Sequence, residues 1–282
     1  MNNNEEMTVP EKLYHYTSKE GFLGIIENKT LWASNILYMN DEKETRIPFE
    51  ICKELLEEDK NANAKEEIDH LDEELKKLLF KELIGLETYV ISFSEKKDDL
   101  NMWRAYGDNA SGICIEFNSD SLLKVLKENQ EKMELRFEKC IYDKQEQKDK
   151  IQNLLDSEKV DICRLSEKLL EFSTYFKDES FRDEKEWRII VKLDTGLENR
   201  KLKKVRFRKD IFVPYCELQI EKEKIPREEP EGKYPWLGDV IVGHNTTDIF
   251  YKSVLHACSV YGIGFGRVLE REPRKSGIPY RG

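Results

Sequence analysis

The sequence predicts an α+β fold, in which mainly antiparallel strands form mixed sheets and helices are inserted between them. Runs rich in aromatic and β-branched residues recur along the chain, and several follow one another without a helical segment between them. Helical periodicity is confined to a few amphipathic segments, and there is no Rossmann or P-loop glycine pattern and no internal repeat. The 282 residues are therefore interpreted as one domain, residues 1–282, with a flexible tail at 1–11 and a helical insertion at 48–86.

The first half of the chain predicts strands and helices in alternation. Alternating Tyr and Thr residues indicate the first strand, and Ser18 is a typical N-cap for the helix after it. Apolar residues at helical spacing predict two longer helices, and Gly107 ends a short helix. The predicted segments are a strand at 12–17, a helix at 21–28, a strand at 31–33, helices on both sides of 61–63 within 48–86, a strand at 89–94 and a helix at 100–107.

The second half contains more strands than helices. Short β-branched runs predict strands, several of them consecutive, and Thr247 is a typical N-cap for the last helix. The predicted segments are a strand at 112–117, a helix from 121, a strand at 137–142, helices at 145–155 and 160–176, strands at 186–191, 204–208, 211–220 and 239–243, a helix at 247–261 and a strand at 265–269.

The composition is that of a folded protein outside the membrane. Lys and Arg number 47 against 57 Asp and Glu, which gives a formal net charge of −10, while 10% of the residues are aromatic and can form a core. No apolar run approaches the roughly 20 residues that cross a membrane, and the polar start Met1–Glu6 does not resemble a signal peptide. The six cysteines have no metal-binding spacing. We expect a cytoplasmic protein with no membrane partner and no metal.

The strongest candidate for chemistry is a pair of carboxylates with a guanidinium. At strand spacing, Glu184, Glu186 and Arg188 would project from one face beside an apolar run. Such charges are costly to bury unless they are paired or functional. A catalytic carboxylate pair and an ion-pair ladder on the surface are both open interpretations.

Polar and aromatic residues on an early strand form a second candidate. His15 and Thr17 can hydrogen-bond a ribose or a phosphate while Tyr16 stacks, although a structural histidine on an edge strand is an equal interpretation. A turn containing Asn40, Asp41 and Glu44 is also polar, and an Asx cap explains it almost as well as a site does.

A third candidate combines a hydroxyl-bearing strand with a short aromatic helix. Ser92 and Ser94 share one strand face, with Phe93 on the other. Trp103 and Tyr106 lie three residues apart on one side of the helix. The set can line a pocket for a flat ring, or it can form an aromatic layer of the core.

These segments together resemble a bacterial family catalogued only as a domain of unknown function. The resemblance spans nearly the whole chain, from about residue 12 to 281. The family in turn resembles a remote branch of the ADP-ribosyltransferase superfamily. The segments that carry the resemblance are 14–17 (YHYT), 31–33 (LWA), 40–41 (ND), 92–94 (SFS), 103–107 (WRAYG), 184–188 (EKEWR) and 278–281 (IPYR).

The second resemblance implies an NAD site in a cleft between two small sheets, with NAD as co-substrate. The superfamily carries a His or Arg on an early strand, then a strand with Ser or Tyr, then a Glu on a later strand. The matching residues are His15 with Thr17, Ser92 with Ser94, and Glu186, and the spacing of Glu184 and Glu186 is similar to the E-x-E variant. The middle motif departs from the usual pattern, so the residue that stacks on nicotinamide is left open between Tyr106, Trp103 and Phe93.

The resemblance also implies roles for these residues. Glu186 would stabilise an oxocarbenium-like transition state, and Glu184 would orient or deprotonate the acceptor. Arg188 would either pair with these carboxylates or contact the pyrophosphate. His15, Tyr16, Thr17, Ser92, Ser94, Trp103 and Tyr106 would hold the nucleotide.

The acceptor is left open between RNA, DNA, protein and water. Residues 200–209 contain seven Lys or Arg, which fits a nucleic-acid backbone as well as a solvent-facing strand. We therefore expect an NAD-dependent ADP-ribosyltransferase, acting as a toxin or an anti-phage defence effector. The alternatives are a catalytically inactive sensor or interaction module that binds a nucleotide or a nucleic acid, and an NAD glycohydrolase.

Overall fold

A computed structural model describes residues 9–39, 43–59, 64–84, 87–129, 133–157, 161–193, 201–208, 210–220, 236–261 and 272–279. The described residues form two compact units. The first unit consists of segments from Met1–Leu31, Phe93–Asn129 and Leu218–Gly282, and the second of segments from Trp32–Ser92 and Gln130–Glu217. The single-domain interpretation stays a prediction.

The strands and helices alternate along the chain much as the sequence predicts. The strands are β1 (Lys12–Thr17), β2 (Thr30–Asn35), β3 (Glu87–Ser94), β4 (Ile113–Asn118), β5 (Glu134–Lys139), β6 (Glu186–Leu193), β7 (Lys203–Arg208), β8 (Ile211–Gln219), β9 (Leu237–Val242) and β10 (Arg274–Lys275). The helices are α1 (Lys19–Asn28), α2 (Ile47–Glu58), α3 (Ala64–Ile84), α4 (Leu100–Tyr106), α5 (Ser119–Asn129), α6 (Lys144–Asp156), α7 (Ile162–Ser173) and α8 (Asp248–Val260).

In the first unit the strand order is β10-β9-β4-β1, with the end of β3 beside β1. The pairings are antiparallel except that β10 runs parallel to β9. Phe117 on β4 lies between two other rings of the core, edge-on to Phe93 and stacked on Trp236. This sheet places the predicted residues His15 to Thr17 next to the residues of β4.

In the second unit the strand order is β5-β6-β3-β2-β8-β7. The helices α2, α3, α6 and α7 enclose an apolar core to which the sheet contributes Val90 and Ile190. Leu71, Leu169 and Phe176 are almost completely buried in it. The predicted helical insertion is therefore part of the core of this unit, because α2 and α3 supply much of its apolar surface.

The α+β prediction is confirmed, and the differences lie at the ends of elements. The strand predicted at 137–142 is found earlier, at Glu134–Lys139, because Ile141 leaves β5 and pairs with Phe176 instead. The predicted strand at 265–269, most of the tail and residues 280–281 lie outside the described residues. Within the described ranges, no helix has the length and apolar character that a membrane crossing needs.

Candidate functional site

Glu184, Glu186 and Arg188 lie in the second unit, but not on one strand as expected. β6 begins at Glu186, and Glu184 is the last residue of a 3₁₀ helix, Glu179–Glu184. Lys185 between them has a left-handed backbone with φ 45°. The prediction of a shared strand face was wrong for Glu184, because this turn separates it from the pleat.

Lys177 nevertheless brings the two carboxylates together. Its Nζ atom donates to Oε2 of Glu184 at 2.5 Å and to Oε2 of Glu186 at 2.6 Å. The side chain of Lys177 is 4% exposed, against 13% for Glu184 and 6% for Glu186. A buried ammonium thus bridges the two residues of the E-x-E pattern, and Glu184 is the more accessible of the pair.

Arg188 binds the other side of Glu186 and a third carboxylate. Its Nε donates to Oε1 of Glu186 at 2.8 Å, and its Nη2 donates to Oε2 of Glu44 at 2.9 Å. Its Nη1 donates to the carbonyl of Thr174 at 2.9 Å. Of the two partners expected for Arg188, the structure shows the carboxylates. Glu44, which sequence analysis placed in a polar turn, is a member of the same buried cluster, while Asn40 and Asp41 lie outside the described residues.

The backbone of Glu186 is also held in place. Its amide donates to the hydroxyl of Tyr142 at 2.8 Å, and its carbonyl accepts from the amide of Cys140 at 2.9 Å. Burial raises the pKa of both Tyr142 and Cys140, so neither is a ready proton donor or nucleophile. These two residues fix the main chain from which the Glu186 carboxylate projects.

The pKa values of Glu186 and Glu44 are shifted in opposite directions. Burial would raise the pKa of Glu186, but Arg188 and Lys177 outweigh it and hold the value at about 2. Burial dominates at Glu44 and raises its pKa, although Arg188 and Lys177 oppose the shift. Carboxylates whose environments push their pKa values apart are a feature of acid–base sites.

The lowered pKa of Glu186 makes a prediction for stability. Above its ordinary pKa of 4.5 the ionised carboxylate stabilises the fold, and this contribution is lost as the pH falls toward 2. Glu186→Gln is neutral at every pH, so its deficit in unfolding free energy should be largest at neutral pH and shrink in acid. Urea unfolding of both proteins between about pH 7 and about pH 3 measures the difference. A deficit that grows on acidification would contradict the ion pairing described here.

The aromatic residues predicted to bind nucleotide lie in the first unit. The ring of Trp103 is fully buried and meets Tyr16 edge-on, with ring centroids 5.0 Å apart. The Tyr16 hydroxyl donates to the carbonyl of Lys96 and accepts from the amide of Asp99, both at 2.9 Å. Tyr16 and Trp103 therefore hold the loop after β3 in place.

Asp98 in this loop ties it to the end of the chain. Its Oδ1 accepts from Nε1 of Trp103 at 2.8 Å and from the Ser276 hydroxyl at 2.6 Å, and its Oδ2 accepts from the amide of Gly277 at 2.8 Å. Burial would raise the pKa of Asp98, but these hydrogen bonds hold it below its ordinary value. The residues predicted as an aromatic pocket are thus part of a structural network.

The three residues considered for stacking on nicotinamide differ in how far they are buried. Trp103 is 0% and Phe93 is 1% exposed, whereas Tyr106 is half-buried, so of the three candidates only Tyr106 presents ring surface.

Two other residues predicted to hold the nucleotide contact residues of the same unit. His15 packs against Phe93 with ring centroids 5.7 Å apart. The Ser94 hydroxyl accepts from the amide of Lys96 at 3.0 Å.

The predicted site residues therefore divide between the two units. His15, Tyr16, Thr17, Ser94, Trp103 and Tyr106 belong to the first, and Ser92, Glu184, Glu186 and Arg188 to the second. Within the second unit the structure adds Glu44, Lys177 and Tyr142 to the site. Lys177 was missed because it stands alone between an aromatic residue and an acidic turn, with no motif around it.

A cavity of about 520 Å³ in the second unit lies among α2, α3, α6 and α7. Among the residues that the structure describes, its lining combines leucines with four carboxylates, from Glu58, Asp59, Glu67 and Asp156, and includes no Lys or Arg. A dinucleotide carries a pyrophosphate, which these carboxylates would repel. None of the lining residues belongs to the Glu186 cluster.

Comparison with known proteins gives a match for one span of the chain. Residues 102–189 match a family model described as a protein of unknown function (DUF2971). The span includes Lys177, Glu184, Glu186 and Arg188, and it supports the expected similarity to a domain of unknown function. No curated protein and no solved structure matches. The further similarity to ADP-ribosyltransferases stays a prediction.

Proposed function

We propose that the chain transfers ADP-ribose from NAD to an acceptor, with Glu186 as the carboxylate that stabilises the transition state. The observation that carries the proposal is the convergence of Glu184 and Glu186 on Lys177 at 2.5 and 2.6 Å. Because both carboxylates bind one buried ammonium, Glu184 and Glu186 lie close together in space as well as in sequence, as a catalytic pair requires.

The charge balance of the cluster supports the proposal. Glu44, Glu184 and Glu186 face two cations, Lys177 and Arg188, so the cluster carries one more negative group than positive groups. A buried charge cluster is rarely the most stable way to fill a core, and perturbed carboxylates gather at functional sites. The excess negative charge suits a substrate that develops positive charge as it reacts.

The reaction breaks the bond between C1′ of the ribose and the nicotinamide nitrogen. The bonding electrons leave with nicotinamide, which becomes neutral, and positive charge develops on the ribose as an oxocarbenium-like ion. An acceptor oxygen or nitrogen forms the new bond at C1′ and loses a proton. Glu186 stabilises the cation, and Glu184, the more exposed carboxylate, takes the acceptor's proton.

Incubation with NAD labelled in the adenylate moiety, alone and with cell lysate, tests the proposal. We expect the wild type to release nicotinamide, and Glu186→Gln to release it about 10²–10³-fold more slowly. The labelled fraction then identifies the acceptor as RNA, DNA or protein, and free ADP-ribose identifies hydrolysis. A toxin or defence role would appear as growth arrest on expression that Glu186→Gln relieves.

Because Glu186 is buried in ion pairs, its replacement also weakens the fold, and the assay needs a matched control. Leu169 is fully buried in α7 of the same unit, and Leu169→Ala is expected to cost about 2–5 kcal/mol. Both variants are assayed at a temperature where circular dichroism shows them folded. Turnover retained by Leu169→Ala and lost by Glu186→Gln is the expected result; equal losses would contradict a catalytic role.

One observation favours a second candidate, a catalytically inactive module that binds a nucleotide or a nucleic acid. Both carboxylate oxygens of Glu186 already accept hydrogen bonds, from Arg188 and Lys177, so the carboxylate is engaged as a structural group would be. Folded wild-type protein that releases no nicotinamide, with or without lysate, would favour this candidate over the enzyme.

A further inference from the structure

The side chain of Arg206 is half-buried on one face of the hairpin formed by β7 and β8, in the second unit. The central carbon of its guanidinium lies 5.3 and 5.6 Å from the ring centroids of Trp32 and Tyr215. Its Nη2 donates to the hydroxyl of Ser34 at 2.8 Å. Val213, which is paired with Arg206 across the hairpin, is buried. Two rings and a hydroxyl therefore fix the position of this cation.

Arg206 has no anionic partner within the parts of the chain that the structure describes. No carboxylate there forms an ion pair with it, whereas the buried Arg188 of the same unit contacts both Glu186 and Glu44. Burial lowers the pKa of Arg206, and the positive charge of Arg208 acts in the same direction. A covered charge without a counter-charge is costly to hold in a fold. The arrangement therefore calls for an anion that the described residues do not supply.

Several hydrogen-bond donors around this guanidinium also find no acceptor among the described residues. Nε of Arg206 and Nε1 of Trp32 are buried without a partner, although nearly all buried polar groups in native proteins are satisfied. Nη1 of Arg206 donates to no described residue either, but it is not enclosed. The hydroxyl of Ser34 accepts from Arg206 and keeps its own hydrogen for a further acceptor. Nη1 and this hydroxyl are the donors that a ligand would meet.

A second guanidinium without an anionic partner lies on the same face. Alternate residues of a strand share a face, so Arg208 projects beside Arg206. Arg208 is exposed at the end of β7, and no ion pair joins it to a carboxylate of the described ranges. Lys204, the third cation of this face, already pairs with Glu217 at 2.6 Å. Arg206 and Arg208 thus place two unpaired guanidiniums two residues apart.

The register of the hairpin divides the predicted basic segment between two faces. Residues 203, 205 and 207 point to one face, and residues 204, 206 and 208 point to the other. Arg200 and Lys209 of that segment lie outside the described residues. The two unpaired guanidiniums therefore share a face with the rings of Trp32 and Tyr215, while Lys203 lies on the opposite face.

We propose that Arg206 and Arg208, together with the hydroxyl of Ser34, bind the phosphate group of a small molecule. A carboxylate has two oxygens and is matched by one guanidinium. A phosphate monoester offers three acceptor oxygens and nearly two negative charges, so two guanidiniums and a hydroxyl can share it. The inference rests on β2 and the hairpin and holds whether or not the chain consumes NAD.

Titration with inorganic phosphate and with AMP at constant ionic strength, followed by NMR on the arginine Nε–H signals, tests the proposal. We expect both ligands to bind, and Arg206→Lys and Arg208→Gln each to weaken binding about tenfold. Lysine keeps the charge of Arg206 without its planar fork, and glutamine removes the charge of Arg208. Equal affinities would assign the site to the phosphate group alone, and tighter binding of AMP would assign it to a nucleotide.

Lys203→Gln is the matched control, because it removes one positive charge from the same strand on the opposite face. We expect it to bind phosphate as the wild type does. An equal loss of affinity in Lys203→Gln and Arg208→Gln would show that binding follows net charge, and it would overturn the proposal.

Three other results would also overturn it. The first is folded wild-type protein that binds neither ligand. The second is wild-type affinity in both arginine variants, of which Arg208→Gln changes only an exposed residue and should fold normally. The third is acetate that displaces phosphate as effectively as phosphate itself, which would assign the face to carboxylates. Nicotinamide release is assayed separately, and these variants lie outside the Glu186 cluster, so failure of this proposal and failure of the NAD chemistry are distinguishable.

Discussion

Replacing Arg188 with methionine is expected to lower the free energy of unfolding by about 3–5 kcal/mol. The guanidinium is 2% exposed and lies between the carboxylates of Glu186 and Glu44. Methionine fills much of the same volume but leaves both carboxylates, and the carbonyl of Thr174, without this donor. The cost therefore comes from buried groups left unpaired more than from lost packing.

Urea unfolding at neutral pH measures this change from the shift in midpoint, provided the slope with denaturant is unchanged. Arg208→Met is the matched control, because Arg208 is exposed on the hairpin and its removal should stay within about 0.5 kcal/mol. A loss for Arg188→Met no larger than that of the control would show that the cluster is not held by this guanidinium.

Replacing Trp103 with alanine is expected to cost about 3–5 kcal/mol. The indole is completely buried and packs against Tyr16 in a core cluster with Tyr14, Met102 and Ile241. Its Nε1 donor is one of the groups that hold Asp98, so the change leaves both a cavity and a half-buried carboxylate with one partner fewer. Packing and hydrogen bonding thus act in the same direction.

Trp103→Phe separates these two contributions, because it keeps an aromatic ring and removes the N–H group. We expect Trp103→Phe to lose less stability than Trp103→Ala. We also expect the segment around Gly277 to open before the rest of the unit, which would be measured as faster amide exchange at these residues. Leu23→Ala on the exposed side of α1 is the control and should change stability by about 0.5 kcal/mol or less. A Trp103→Ala variant as stable as this control would contradict a structural role for the indole.

The sequence was a good guide where the interactions are local. Ser18 and Thr247 were predicted as N-caps, and their side chains accept from the amides of Gly21 and Phe250. The two helices predicted within the 48–86 segment appear as α2, which ends at Glu58, and α3, which begins at Ala64. Capping and helical periodicity act within a few residues, so a single sequence records them.

Exposure was harder to predict, because one residue pattern fits a surface and a core equally well. Trp103 and Phe93 were candidates for stacking on a ligand, and both are buried. The alternation of Val205 and Phe207 with basic residues predicted a strand correctly, but it gave no sign that the apolar face is the open one and that Arg206 is packed against Trp32. The layers on either side of a strand decide which face is covered, and they come from distant parts of the chain.

The amino-acid sequence by itself determined the α+β class, most helices and strands, and the residues Glu184, Glu186 and Arg188 as the place to look for chemistry. Only the tertiary structure decided what surrounds them. Arg188 and Glu44 are hydrogen-bonded although 144 residues separate them, and Lys177 joins Glu184 to Glu186 across a left-handed turn. Ion pairs of this kind form when packed elements bring charges together, so their members follow no sequence spacing.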